Sequence, residues 1–144
     1  MGAVRRSLPQ PNKPAKRVEI IPLSPSQDRQ ILQAYGKDGF RVSDKQWSGA
    51  VIVFPTRTVN WDVRTVSDLT LEAFVPVGEA SDPPVELLLI GTGSRMALLP
   101  SKLQVALRAM GFGIDVMETG AACRTYNVLS GEERRVAAAL LPLG

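Results

Sequence analysis

The stretch ELLLIGTGSRMALLPSKLQVAL, residues 86–107, constrains this chain more than any other. A run of large apolar residues, Leu87 to Ile90, predicts a strand buried on both faces. It empties into Gly91-Thr92-Gly93, and a helix follows: Pro100 opens it, Leu103, Ala106, Leu107 and Met110 form its apolar stripe, and Gly111 closes it. GIDVME then alternates as an edge strand should, and a strand, a helix and a parallel strand of this length form a βαβ unit. Nucleotide-binding folds use the same outline to cradle phosphate, but a dinucleotide fingerprint requires a third glycine and a helix N-terminus directly behind the loop. Met96 stands at the third position, the helix signal begins only at Pro100, and no Gly-Lys-Ser/Thr occurs. Glu118 falls roughly where a ribose-binding acid would stand. The reading favoured here is that Gly91 and Gly93 adopt positive φ in a tight exit from the sheet, with no cofactor in the bend.

If the two strands are parallel, the loops Gly91–Arg95 and Glu118–Arg124 emerge at one edge of the sheet, where open α/β folds form clefts. Gly91, Thr92, Gly93, Ser94, Arg95, Glu118, Thr119 and Arg124 are therefore the candidate residues for a ligand, an anion or a carboxylate-bearing partner. The plainer alternative for Arg95 and Arg124 is a solvated surface position. Cys123 has a thiolate-favouring setting, near a helix N-terminus and beside Arg124. The chain has no histidine and no second cysteine, which excludes a Ser-His-Asp triad, a Cys-His dyad and a His/Cys zinc site. Cys123 is accordingly expected to be a small packing residue, and no catalytic residue, metal or cofactor is expected.

Five of the 17 basic residues, Arg5, Arg6, Lys13, Lys16 and Arg17, lie in residues 1–17, which hold none of the 14 acids. From Val18 onward 12 basic residues face 14 acidic ones, so the body is slightly acidic. With Pro9, Pro11 and Pro14 the first 17 residues read as a flexible arm, and residues 18–144 as one α/β domain. The arm is neither an amphipathic presequence nor an export signal. No apolar run approaches the roughly 20 residues that span a bilayer. Nucleic acid is not an expected partner, because no basic stripe interleaved with aromatics occurs.

VEIIPL and a hairpin turning at Gly36-Lys37-Asp38-Gly39 are the first expected strands, followed by SGAVIVFP and its shorter partner VNWDV. Thr65 and Asp68 have capping-box spacing, and Val66, Leu69, Ala73 and Phe74 share a helical face that Pro76 should end, with a loop from Gly78 to Pro84. Trp47 and Trp61 read as packing residues. Tyr126 and Asn127 fall on the helix after Glu118, where a buried tyrosine finds one hydrogen-bond partner. Glu132, Glu133, Arg134 and Arg135 read as a solvated connector. RRVAAALL is open between a helix, by propensity, and a central strand with small side chains.

ELLLIGTG, the proline-opened helix, GIDVMETGAACRTYNVL and the closing RRVAAALLP, in that order and spacing, resemble the Mth-type domain family, which includes the mitochondrial assembly factor for respiratory complex I. The likeness runs from Ile31 to Leu143. It implies a three-layer α/β domain around a mixed five-stranded sheet with an added N-terminal β-hairpin. By this resemblance VAAALL is a strand between VIVF and LLLI, antiparallel to its neighbours, and IDVME lies at an edge. The implied function is a soluble, non-catalytic interaction domain, an assembly factor for a membrane complex of the complex I type. The partner it implies is a protein, such as a respiratory assembly intermediate, with association at the membrane periphery and no transmembrane segment. The location implied is the cytoplasm of a bacterium, or the matrix side of a mitochondrion in a eukaryote, and the chain itself is expected to be monomeric. The alternative is a small-molecule or anion-binding protein, an enzyme among the options, using the cleft after residues 85–90 and 114–118.

Overall fold

A computed structural model describes residues 29–81 and 83–144; the basic arm and VEIIPL lie outside the described residues. The expected hairpin is present as β1 (Leu32–Tyr35) and β2 (Gly39–Val42), antiparallel and closed by a bond from Gly36 N–H to Gly39 C=O at 3.0 Å. It continues into a strand the sequence did not announce, β3 (Lys45–Ser48). The connection is the two-residue turn Ser43-Asp44, with both φ values positive at 46° and 68°. Such turns usually carry Asn-Gly, and neither residue here is glycine. The Gln33 side chain compensates: its Oε1 accepts from Asp44 N–H at 2.7 Å, and its Nε2 donates to Asp44 Oδ1 at 3.0 Å.

The central sheet contains β4 (Val51–Val53), β5 (Thr58–Asn60), β6 (Leu87–Gly91), β7 (Gly113–Met117) and β8 (Val136–Leu140), in the order β5-β4-β8-β6-β7. RRVAAALL is thus a central strand. Alanine's helical preference is overridden because this slot offers hydrogen-bonded ladders on both sides and burial on both faces. All five β8 residues are buried; Ala137 and Ala139 face one core, and Val136, Ala138 and Leu140 the other. β8 is antiparallel to β4 but parallel to β6, correcting the expectation that it opposes both neighbours. The cause is connectivity. β6 reaches β7 through α2 (Ser101–Ala109), and β7 reaches β8 through α3 (Thr119–Gly131), so two helical crossovers leave three strands pointing the same way. β7 is at the edge, as its sequence indicated.

Between β5 and β6 the chain makes two 3-10 turns, Val66–Asp68 and Leu71–Phe74, and then α1 (Val75–Glu79). Asp68 does reach back to Thr65 N–H, at 3.3 Å. Pro76, however, sits in the first turn of α1, where a missing N–H is tolerated, so it begins a helix that takes in Gly78 and Glu79 instead of ending one. These turns pack with α2 on one face of the sheet, around Ile52, Phe74, Leu88, Ile90 and Leu107. The other face is covered by α3 and the three-stranded sheet, around Phe40, Val51, Val53, Leu89 and Tyr126. Asn127 joins α3 to β1 in both directions: Leu32 N–H donates to Asn127 Oδ1 at 2.9 Å, and Asn127 Nδ2 donates to Leu32 C=O at 2.8 Å. Trp61 is buried and donates from Nε1 to Ala73 C=O at 2.7 Å, the packing role expected of it.

Candidate functional site

The two glycines after β6 serve different physical needs. Gly93 has φ +103°, a left-handed conformation that disfavours side chains. Gly91 has no positive φ, contrary to expectation; a Cβ there would lie 2.9 Å from Leu140 Cδ2 and 3.0 Å from Thr119 Cα and Oγ1. It is glycine because the first residue of α3 presses against the end of β6.

Thr119 is fully buried and ties three segments together. Its Oγ1 accepts from Gly93 N–H at 2.8 Å and donates to Leu141 C=O at 2.6 Å, while its own N–H donates to Gly93 C=O at 2.9 Å. Leu141 N–H donates to Gly91 C=O at 2.9 Å, and Thr92 N–H to Met117 C=O at 3.0 Å. The Thr92 hydroxyl closes the loop on itself, donating to Arg95 C=O at 2.6 Å and accepting from Ala97 N–H at 3.1 Å. The N–H groups of Thr92 and Gly93 are therefore already committed to protein acceptors. At the start of α3 the Glu118 carboxylate accepts from Ala121 N–H, so the helix supplies its own anion where a phosphate would otherwise be drawn.

The candidate residues separate into three places. Gly91 and Thr119 are interior. Thr92, Gly93, Ser94 and Arg95 line a groove of about 400 Å³ opposite Arg64, Thr65 and the segment Leu141–Gly144. Glu118 and Arg124 do not line it: Arg124 lies 3.7 Å from Glu118 and donates to the Tyr35 hydroxyl at 3.3 Å, on the β1 side of α3. At 67% and 37% side-chain exposure this ion pair is a weak surface contact. Arg64 faces the glycine loop from the segment just before the first 3-10 turn and was not legible as a site residue, since nothing local to residues 64–67 indicates what they will meet.

Cys123 is buried, and its thiol is pushed up to about 12 by desolvation, which outweighs the lowering effect of Arg124; Glu118 adds to the rise. Tyr126 is likewise pushed up to about 12, chiefly by burial. Its hydroxyl donates to Phe54 C=O at 2.9 Å, the single partner expected of it. At pH 8 the thiolate fraction of Cys123 is about a thousandfold below that of a thiol with the ordinary value of 9.0. Iodoacetamide should therefore label native Cys123 more slowly than the urea-unfolded chain by about two orders of magnitude or more. Both raised values act in one direction on stability. The folded state holds these protons more tightly, so the contribution is complete below about pH 9 and is lost as pH rises toward about 12.

Among the described residues no three His, Cys, Asp or Glu side chains converge as metal ligands, and no helix is long and apolar enough to cross a membrane.

Residues 32–141 match a family described as "Protein of unknown function (DUF498/DUF598)". NADH dehydrogenase [ubiquinone] 1 alpha subcomplex assembly factor 3 of Danio rerio is 32% identical over 112 residues, 78% of this chain and 64% of that protein. The matched stretch spans 60–64% of the length of the first three such vertebrate proteins. An uncharacterised protein of Rhodobacter capsulatus is 37% identical over 112 residues, 78% of this chain and 84% of that one. The solution structure of a Bordetella pertussis protein, described as a Mth938-like domain, has TM-score 0.71 and 31% identity, covering 88% of this chain and 94% of that one.

Proposed function

The chain belongs to the DUF498/DUF598 family, the Mth938-like domains that include the complex I assembly factor 3 proteins, and from that membership we propose that it is a non-catalytic interaction domain acting as an assembly factor for a respiratory complex of the complex I type. One observation carries the reading: sequence identity to proteins named as complex I assembly factors, 32% in zebrafish and in human alike, extends over more than three quarters of this chain.

The chemistry of the candidate site supports a scaffold over an enzyme. The glycine loop has its first N–H donors satisfied internally, the α3 N-terminus is capped by Glu118, and the lone thiol is buried with its ionisation suppressed. A protein-binding surface is better provided for. Met96 and Leu98, ahead of α2, are 51% and 80% exposed, and Val105, within it, is 68% exposed, large apolar side chains that a partner can cover. The proposed working place is the cytoplasm of a bacterial host, at the inner face of the membrane where such a complex is built.

Affinity capture of the tagged full chain from its native cells tests this. Recovery of complex I subunits or assembly intermediates, together with lowered complex I content in a deletion strain, is the expected result. Absence of respiratory subunits, with NAD or ATP binding tighter than about 100 μM, would reverse it in favour of a small-ligand protein.

A further inference from the structure

The outer edge of the central sheet carries a specific instruction about what can pair with it. In β7, Gly113 N–H donates to Glu86 C=O at 3.0 Å and Met117 C=O accepts from Thr92 N–H at 3.0 Å, so residues of that parity bond toward β6. In a parallel ladder the intervening residues turn their backbone groups the other way. Ile114 and Val116 therefore present N–H and C=O outward, where no strand lies among the described residues. Their side chains pack half-buried on the α2 core, while Asp115 between them is exposed and takes part in none of the ion pairs among the described residues.

A second copy is the most available occupant of such an edge. Two-fold pairing that uses both outward residues of each strand sets Ile114 against Val116 of its twin and Val116 against Ile114. That register places Asp115 directly opposite the twin Asp115 in the close, non-hydrogen-bonded position, with Cα atoms about 4.5 Å apart. Registers shifted to avoid this contact leave one bonded pair within β7. The same arrangement that repels a twin attracts a strand with a cation at that position.

We propose that the β7 edge is a strand-docking site for a partner protein, one whose β-strand places Lys or Arg opposite Asp115 and apolar residues opposite Ile114 and Val116, and that Asp115 excludes self-pairing. This rests on the interaction-domain reading above and assigns it a surface. Its test does not require the natural partner, because the Asp115→Lys variant of this chain is itself a strand of the required chemistry. Isotope-labelled wild-type chain is titrated to about 1 mM with unlabelled D115K and followed by amide chemical shifts, with unlabelled wild type as the parallel titration. The mixture should give saturable shifts centred on Ile114, Asp115 and Val116, at least tenfold larger than wild type gives with itself. D115R should behave as D115K does, and either variant alone should retain the dispersed spectrum of a folded monomer. Absence of saturable shifts on β7 from either folded variant, or equal shifts from wild type, would overturn the proposal. That outcome leaves the capture result untouched, so the two readings fail separately.

Discussion

Tyr126→Ala should lower the unfolding free energy by about 3–5 kcal/mol, the range for truncating a buried aromatic, which removes about a fifth or more of the usual total of about 5–15 kcal/mol and up to all of it at the low end of that range. Tyr126 is the largest fully buried side chain among the described residues, and it joins α3 to the β4 end of the sheet through its bond to Phe54 C=O. Removal leaves a void between the two layers and an orphaned carbonyl. Tyr126→Phe isolates the second effect: the ring stays, one buried acceptor loses its donor, and the loss should be about 1–3 kcal/mol. Urea denaturation followed by tryptophan fluorescence measures both. An alanine variant within about 1 kcal/mol of wild type would mean that α3 does not hold the β4 end as described.

Thr119→Val should cost about 2–4 kcal/mol although it is nearly isosteric. The substitution strips a fully buried oxygen from between Gly93 N–H and Leu141 C=O, and each orphan costs about 1–3 kcal/mol where water cannot replace it. Thr119→Ser keeps both bonds and loses one methyl, so it should recover most of the stability. Hydrogen exchange adds a local readout: the Gly93 amide should exchange faster in the valine variant and stay protected in the serine one. If valine and serine were equally mild, the glycine loop would be held by its own turn geometry, and the threonine bridge would be incidental.

How far the fold was legible depends on the range of the forces that set each element. The β6-α2-β7 unit was readable because its signals are local: the run Leu87–Ile90, Pro100 before the helix, Gly111 after it. β3 was not, because its turn lacks glycine and it exposes three of its four residues, leaving no alternation to detect. The direction of β8 against β6 depends on how many helical crossovers separate them, which no property of VAAAL encodes. Gly91 is the sharpest case in the candidate site. A glycine at a strand end invites the positive-φ explanation, whereas the real constraint is Thr119, 28 positions later in the chain. Arg95 and Arg124 follow the same edge of the sheet, yet the second turn of α3 sets Arg124 beside Tyr35 and away from the groove that Arg95 lines.

Because β8 is last of the strands in the chain and third in the sheet, biosynthesis delivers the keystone after everything it must join. Until Val136–Leu140 emerges, the β4–β5 and β6–β7 pairs have no ladder between them, and two of the most apolar strands in the molecule stand with open flanks. A nascent or prematurely terminated polypeptide is therefore a sticky pair of half-sheets, prone to aggregate until the final strand slides in.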